Sequence, residues 1–162
     1  MALGMGRPLI RALTSAERRL AAEAVGGGID CDPVRLLAAP WPIVRAFVPG
    51  RLFGRDWIVW PARSLPNDFT TESVARQAVL VHELVHVWQA QQGVKLLAAK
   101  LKAGDSRAAY AYAVSDDCVW DGLNIEQQAM MVEHRFRLAR GGPVPASREF
   151  YDRVCPLGRS EI

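Results

Sequence analysis

Two of the chain's three histidines stand four residues apart, in His82-Glu83-Leu84-Val85-His86, and most of their neighbours are apolar. Val74, Ala78, Val81, Val85 and Trp88 recur with helical spacing on more than one face. This predicts a central, largely buried helix from about Phe69 to Gly93. Residues four apart on a helix share a face, so His82 and His86 present two imidazole nitrogens to one point. Two imidazoles and a carboxylate inside a core are costly unless something satisfies them. The ring nitrogens suit one tetrahedral ion, zinc above all. Glu83 lies beside the same face, where it can act as general base on a water that the ion activates.

Such a site needs a third protein ligand and an open position. The downstream candidates are Asp116, Asp117, Asp121, Glu126, Glu133 and His134. Glu126 fits best, because it opens an apolar helix able to pack on the first, and Ala129 is small enough to let the two approach. Asp117 or Asp121 is the runner-up. His134 offers a three-histidine alternative or a supporting group, two turns beyond Glu126. Tyr110, Tyr112 and His134 are the available donors for a developing oxyanion. Gln89, one turn past His86, is placed either to hydrogen-bond near the site or to lie on a plain helix face.

The rest of the chain sets the frame. Residues 1–12 read as a loose lead-in. Thr14-Ser15-Ala16-Glu17 is a capping-box pattern, and the helix it opens should stop at Gly26-Gly27-Gly28. Six of the ten prolines fall between Ile29 and Pro66, which excludes a long helix there. Val34–Ala38, Ile43–Val48 and Trp57–Trp60 read as two or three short strands. Thr70 is the expected N-cap of the histidine helix, with Phe69 and Val74 as its staple. Val94 to Leu101 suggests a short helix closed by Gly104. Asp105 to Gly122 has no decisive pattern, Asn124 caps a helix to about Arg140, and Ser147 to Val154 forms a last one. The fold class is α+β: a mostly helical single domain over residues 1–162, with a small sheet before the central helix.

Bulk properties exclude several classes. The net charge is +3 and no Lys/Arg block is present, so a nucleic-acid partner is not expected. Arg135, Arg137 and Arg140 lie at a helix end, where cations complement the dipole. No apolar stretch reaches the roughly 20 residues of a membrane span. The start of the chain lacks a conventional signal pattern. Cys31, Cys118 and Cys155 have neither disulfide-framework nor thiolate-site spacing. Together these imply a reduced, cytoplasmic protein, with export by a non-conventional route open.

His82-Glu83-Leu84-Val85-His86-Val87-Trp88-Gln89, Asn124-Ile125-Glu126-Gln127-Gln128-Ala129, and the stretches Leu13-Thr14-Ser15-Ala16-Glu17 and Gly28-Ile29-Asp30 together resemble a known family. They are similar to the Vgr-related proteins of proteobacteria and the metallopeptidase-like core domain of contractile injection systems, over roughly Leu13 to Arg140. The resemblance implies a gluzincin-type zinc site: His82, His86 and Glu126 as ligands, Glu83 as base. It also implies a bacterial source and a link to secretion or injection machinery. In the thermolysin-like branch an aspartate four residues after the glutamate ligand orients the first histidine. Here that position is Met130, so another carboxylate or a backbone carbonyl must serve.

The first expectation is therefore a zinc metallopeptidase acting on a peptide or protein substrate. The alternative is a catalytically weak or inactive zinc-binding module, part of or accessory to a secretion assembly. A third reading is a regulatory protease resembling those that inactivate phage repressors. The substrate and oligomeric state are not encoded in any motif.

Overall fold

A computed structural model describes residues 9–158. The four-stranded sheet has the order β1-β2-β4-β3, built from β1 (Ile10–Ala12), β2 (Val34–Ala39), β3 (Phe47–Leu52) and β4 (Arg55–Pro61). β2 and β4 run parallel, and the outer strands are antiparallel to them. Helices α1 (Ser15–Ala24), α2 (Val74–Gln91), α3 (Leu96–Ala103), α4 (Arg107–Tyr110), α5 (Ile125–Ala139) and α6 (Arg148–Val154) complete the domain. This is the α+β class expected, with the sheet preceding the histidine helix.

Alternation carries the sheet. Val34, Leu36, Ile58 and Trp60 face the core with Val48, while β3 takes the edge, where Pro49 lacks no ladder bond it needs. The pairing of β3 with β4 is irregular between Phe47 and Gly50, around that proline. The β3–β4 turn places Phe53 and Gly54 at φ 53° and 71°, the left-handed pair of a type I′ hairpin.

Three sequence expectations need correction. Ile10–Ala12 is not a loose lead-in but a strand on β2; residues 1–8 lie outside the described residues. The strand expected at Ile43–Val48 begins only at Phe47, and the segment before it leaves the sheet to line a cleft. The histidine helix starts at Val74 rather than near Thr70. The Asp68 side chain accepts from the Thr70 amide and winds Phe69–Thr71 into a 3-10 turn, and Ser73 then caps the α-helix. The caps at Thr14 and Asn124 are as the sequence indicates, and Ser147, expected as the first residue of the last helix, is its N-cap.

The helix α1 capping box does more than end a helix. Glu17 is fully buried, and it accepts from the Thr14 and Phe69 amides at 2.8 and 2.9 Å. Arg11 of β1 grips the same carboxylate with two bonds of 2.8 Å. One carboxylate thus ties the first strand, the first helix and the entry to α2. Glu17→Ala leaves a partly buried guanidinium and two amides without their acceptor, and is expected to destabilise the fold by about 3–5 kcal/mol. Urea unfolding checks this; a loss below about 1 kcal/mol would show the hub to be dispensable.

The C-terminal arginines are structural clamps. Arg137 binds Glu133 at 2.6 Å, Arg140 binds Glu23 and lies over the Phe136 ring, and Arg135 bonds the Leu157 carbonyl. All three cysteines are free thiols. Among the described residues, no helix is long and apolar enough to cross a membrane.

Candidate metal centre

Helices α2 and α5 form the principal helix-to-helix contact of the domain. Fully buried Ala129 sits within that contact, and its lack of bulk lets the backbones approach. On α5, Glu126, Ala129 and Glu133 follow at three- and seven-residue spacing and share one face. On α2, His82 and His86 meet them. The Asn124 capping box fixes the start of α5, with the Asn124 side chain on the Gln127 amide at 2.8 Å and the Gln127 side chain on the Asn124 amide at 3.0 Å. Glu126 is thereby held in the first turn, facing α2.

Glu126 Oε2 lies 3.2 Å from His82 Nε2 and 3.1 Å from His86 Nε2. All three residues are buried, and they form a group able to hold a metal ion. The separations are close to the roughly 3.3 Å edge of a tetrahedron built on bonds of 2.0–2.1 Å. The donor set, two imidazoles and one carboxylate, suits zinc among the transition ions.

The far nitrogen of each ring is also engaged. His82 Nδ1 lies 3.1 Å from Glu133 Oε2, whose other oxygen accepts from Arg137. His86 Nδ1 lies 2.8 Å from Gln89 Oε1, and Gln89 Nε2 donates to the Ile125 carbonyl and to Gln128. Since Glu133 and Gln89 offer acceptors to the two Nδ1–H groups, both Nε2 atoms point at the shared centre, where a metal would replace the proton that His82 Nε2 otherwise shares with Glu126. Met130 indeed does not orient His82. Glu133, one turn further along the same face, does so instead.

The charges respond to this packing. Burial alone would lower the His82 pKa, but the hydrogen bonds to Glu126 and Glu133 outweigh it and push the group up to about 9. Burial works against ionising Glu126, yet its bonds to His82 and His86 hold it well below the usual carboxylate range. Glu133 is lowered likewise, against burial, by His82 and Arg137. Replacing Glu133 with Gln keeps its shape and removes the charge that orients His82. It is expected to weaken metal binding by about 10–100-fold, as titration against a chelating indicator would read. Unchanged affinity would leave Glu133 as an ordinary buried ion-pair partner of Arg137.

Glu83 differs from every other acid of the group. It is buried beside the histidines, and its Oε2 has no hydrogen-bond partner. A buried carboxylate oxygen without a partner demands an explanation. Glu83 also lines a cleft of about 890 Å³ that reaches His82, His86, Glu126 and Tyr110, a volume in the range of ligand sites.

The oxyanion candidates divide. The Tyr110 ring stacks on His82 with centroids 6.2 Å apart and lines the cleft, and its hydroxyl donates to Asp105. Burial and the charges of Glu126 and Asp105 raise its pKa to about 12, so it remains a proton donor at neutral pH. Tyr112 instead bonds His134 Nδ1 at 2.5 Å and Tyr151 at 2.9 Å, away from the cleft. Burial lowers the His134 pKa, and its neutral ring accepts from the Tyr112 hydroxyl. Neither Tyr112 nor His134 joins the cluster. Asp116, Asp117 and Asp121 are exposed and outside it. Gln89 takes the first of its two expected roles, hydrogen-bonding beside the site, whereas Glu133, weighed from the sequence only as a ligand, has an orienting role that sequence reasoning missed. The available signal was its spacing, seven residues after Glu126.

Fold and cluster together define an α+β domain whose two packed helices carry a buried two-histidine, one-carboxylate group open to a cleft. No protein-family model matches the chain. It is 32% identical over 141 residues, covering 78% of the chain, to the type VI secretion system spike protein VgrG2b of Pseudomonas aeruginosa, and it spans 13% of that protein's length. The solved effector domain of Pseudomonas aeruginosa VgrG2b shares the fold with a TM-score of 0.65 at 30% identity, over 80% of this chain and 75% of that one. The chain belongs to the family of this Vgr effector domain.

Proposed function

We propose that the chain is a zinc-dependent hydrolase of peptide or amide bonds, deployed as an effector of a type VI-like secretion machinery. The observation that carries the catalytic part is the partnerless, buried Glu83 oxygen beside three converging ligand atoms. His82, His86 and Glu126 would hold the ion. When bound, zinc would polarise the scissile carbonyl and increase the acidity of a water.

The chain's own residues account for the rest. Glu83 takes the proton of the attacking water and returns it to the leaving amine, as a carboxylate on the wall of the cleft with an oxygen that no protein group engages can do. Tyr110, neutral and on the cleft wall, donates a hydrogen bond to the developing oxyanion once its hydroxyl leaves Asp105. The apolar cleft wall limits water around the reacting atoms. The secretion link follows the family: the VgrG2b relative is a type VI spike protein, and the matching solved structure is its effector domain.

The competing reading is a module that keeps its metal for stability alone. It requires no Glu83 and leaves the cleft without a purpose. Glu83→Gln separates the two. Zinc content is expected to stay near one per chain, while kcat/KM on a peptide library falls by about 10²–10⁴-fold. Equal turnover by the variant would remove Glu83 from the mechanism. No turnover by wild-type protein across the library would favour the binding module.

A further inference from the structure

We propose that α3 is the specificity element of the cleft, which accepts a polypeptide segment bearing a bulky aliphatic side chain with a carboxylate close by. The inference rests on the hydrolase reading above and names the substrate class of that same site.

Of the eight residues of α3, only Leu96 is buried. Leu97 and Leu101, one turn apart and so on one face, are 72% and 78% exposed, and both line the cleft that holds the histidines. Ile43 and Val44, from the segment that leaves the sheet before β3, line the same cleft. Two leucines at helical spacing beside a reacting centre form an apolar wall, and an aliphatic side chain of a substrate would remove that wall from water.

Charge completes the assignment. Lys100, next to Leu101, is half-buried, lines the cleft, and has no hydrogen bond or ion pair among the described residues. The other two charges of this rim, Arg45 and Asp105, bind each other at 3.0 Å. Glu126 and Glu133 are engaged by the histidines and Arg137, and Glu83, the remaining carboxylate of the cleft, is buried on α2 and makes no ion pair with Lys100. Lys100 is therefore the uncompensated cation of the rim, and a carboxylate is the group that complements it.

The test uses the zinc-loaded full chain and hydroxamates, whose anchor binds zinc directly. The probes are acetohydroxamate and a set carrying an isobutyl or a methyl side chain, each as free carboxylate and as amide, with Kd read by calorimetry. The isobutyl probe is expected to bind about 10-fold more tightly than the methyl one. In the Leu97→Ala/Leu101→Ala double variant the two should bind alike. The carboxylate form is expected to exceed the amide by about 3–5-fold, and Lys100→Ala should erase that difference. The leucines are exposed, so unfolding midpoints confirm that the variants fold. Equal affinity for isobutyl and methyl probes in the wild type overturns the aliphatic assignment. A carboxylate preference that survives Lys100→Ala overturns the role of Lys100. If acetohydroxamate itself fails to bind, the metal-site reading falls, and this inference falls with it; that outcome is distinct from a bound anchor without side-chain preference.

Discussion

His86→Ala is expected to lower zinc from near one per chain to near zero after purification without added metal, as elemental analysis would show. The His86 ring is 1% exposed, and its two nitrogens bind Glu126 and Gln89. Alanine removes one of three ligand atoms and leaves Gln89 Oε1 without its donor. The loss of affinity should exceed the roughly 10–100-fold expected for an outer partner such as Glu133. The metal-free fold should lose only about 1–3 kcal/mol, the cost of the unpaired acceptor and the small void. A folded variant that still carries a full zinc equivalent would remove His86 from the ligand set. A folded wild type that takes up no zinc even when supplied would sink the metal reading and leave the two histidines as ion-paired core residues.

Chelation is expected to destabilise the protein little at low pH and strongly at high pH. In the metal-free protein His82 titrates near 9, above its ordinary 6.5. A raised histidine contributes stability that is fully present below pH 6.5 and is lost as pH climbs through 9. The shift corresponds to about 3 kcal/mol. The metal-free protein should therefore lose stability across that window. Zinc needs the His82 Nε2 lone pair and must displace this proton, so its affinity should rise by about 10-fold per pH unit over the same range. Adding a chelator should consequently shift the unfolding midpoint little near pH 6 and strongly near pH 9. The measurement is thermal unfolding with and without chelator from pH 6 to 9. A chelator effect that shrinks with rising pH would show that metal and proton do not compete at His82.

Much of the site was legible because helices turn spacing into geometry. His82 and His86 had to share a face, and Glu126 had to open α5 because Asn124 caps it. Ala129 signalled where the helices touch. Met130 signalled that another group must orient His82, and the structure places Glu133 there, seven residues past Glu126 and on the same face. A sequence lists both positions on that face, and only the tilt of α5 against α2 decides which reaches the His82 ring. Likewise His134 and Tyr112 look available for catalysis, but the packing of α6 supplies Tyr151 and draws them into a separate hydrogen-bonded trio.

By itself, then, the sequence determined what depends on near neighbours along the chain: the caps at Thr14 and Asn124, the buried histidine helix, the proline-interrupted sheet region and the side-chain types of the candidate centre. The tertiary structure decided what depends on residues far apart. It set the strand order with β4 inside and β3 at the edge, the burial of Glu17 between Arg11 and Phe69, the pairing of His82 with Glu133, and the wall that α3 raises along the cleft. Local structure follows from short-range sterics and hydrogen bonds that a few residues specify. Pairings across 51 or 52 residues, as for His82 with Glu133 and Glu17 with Phe69, exist only once the chain has closed those loops and the whole core selects one packing.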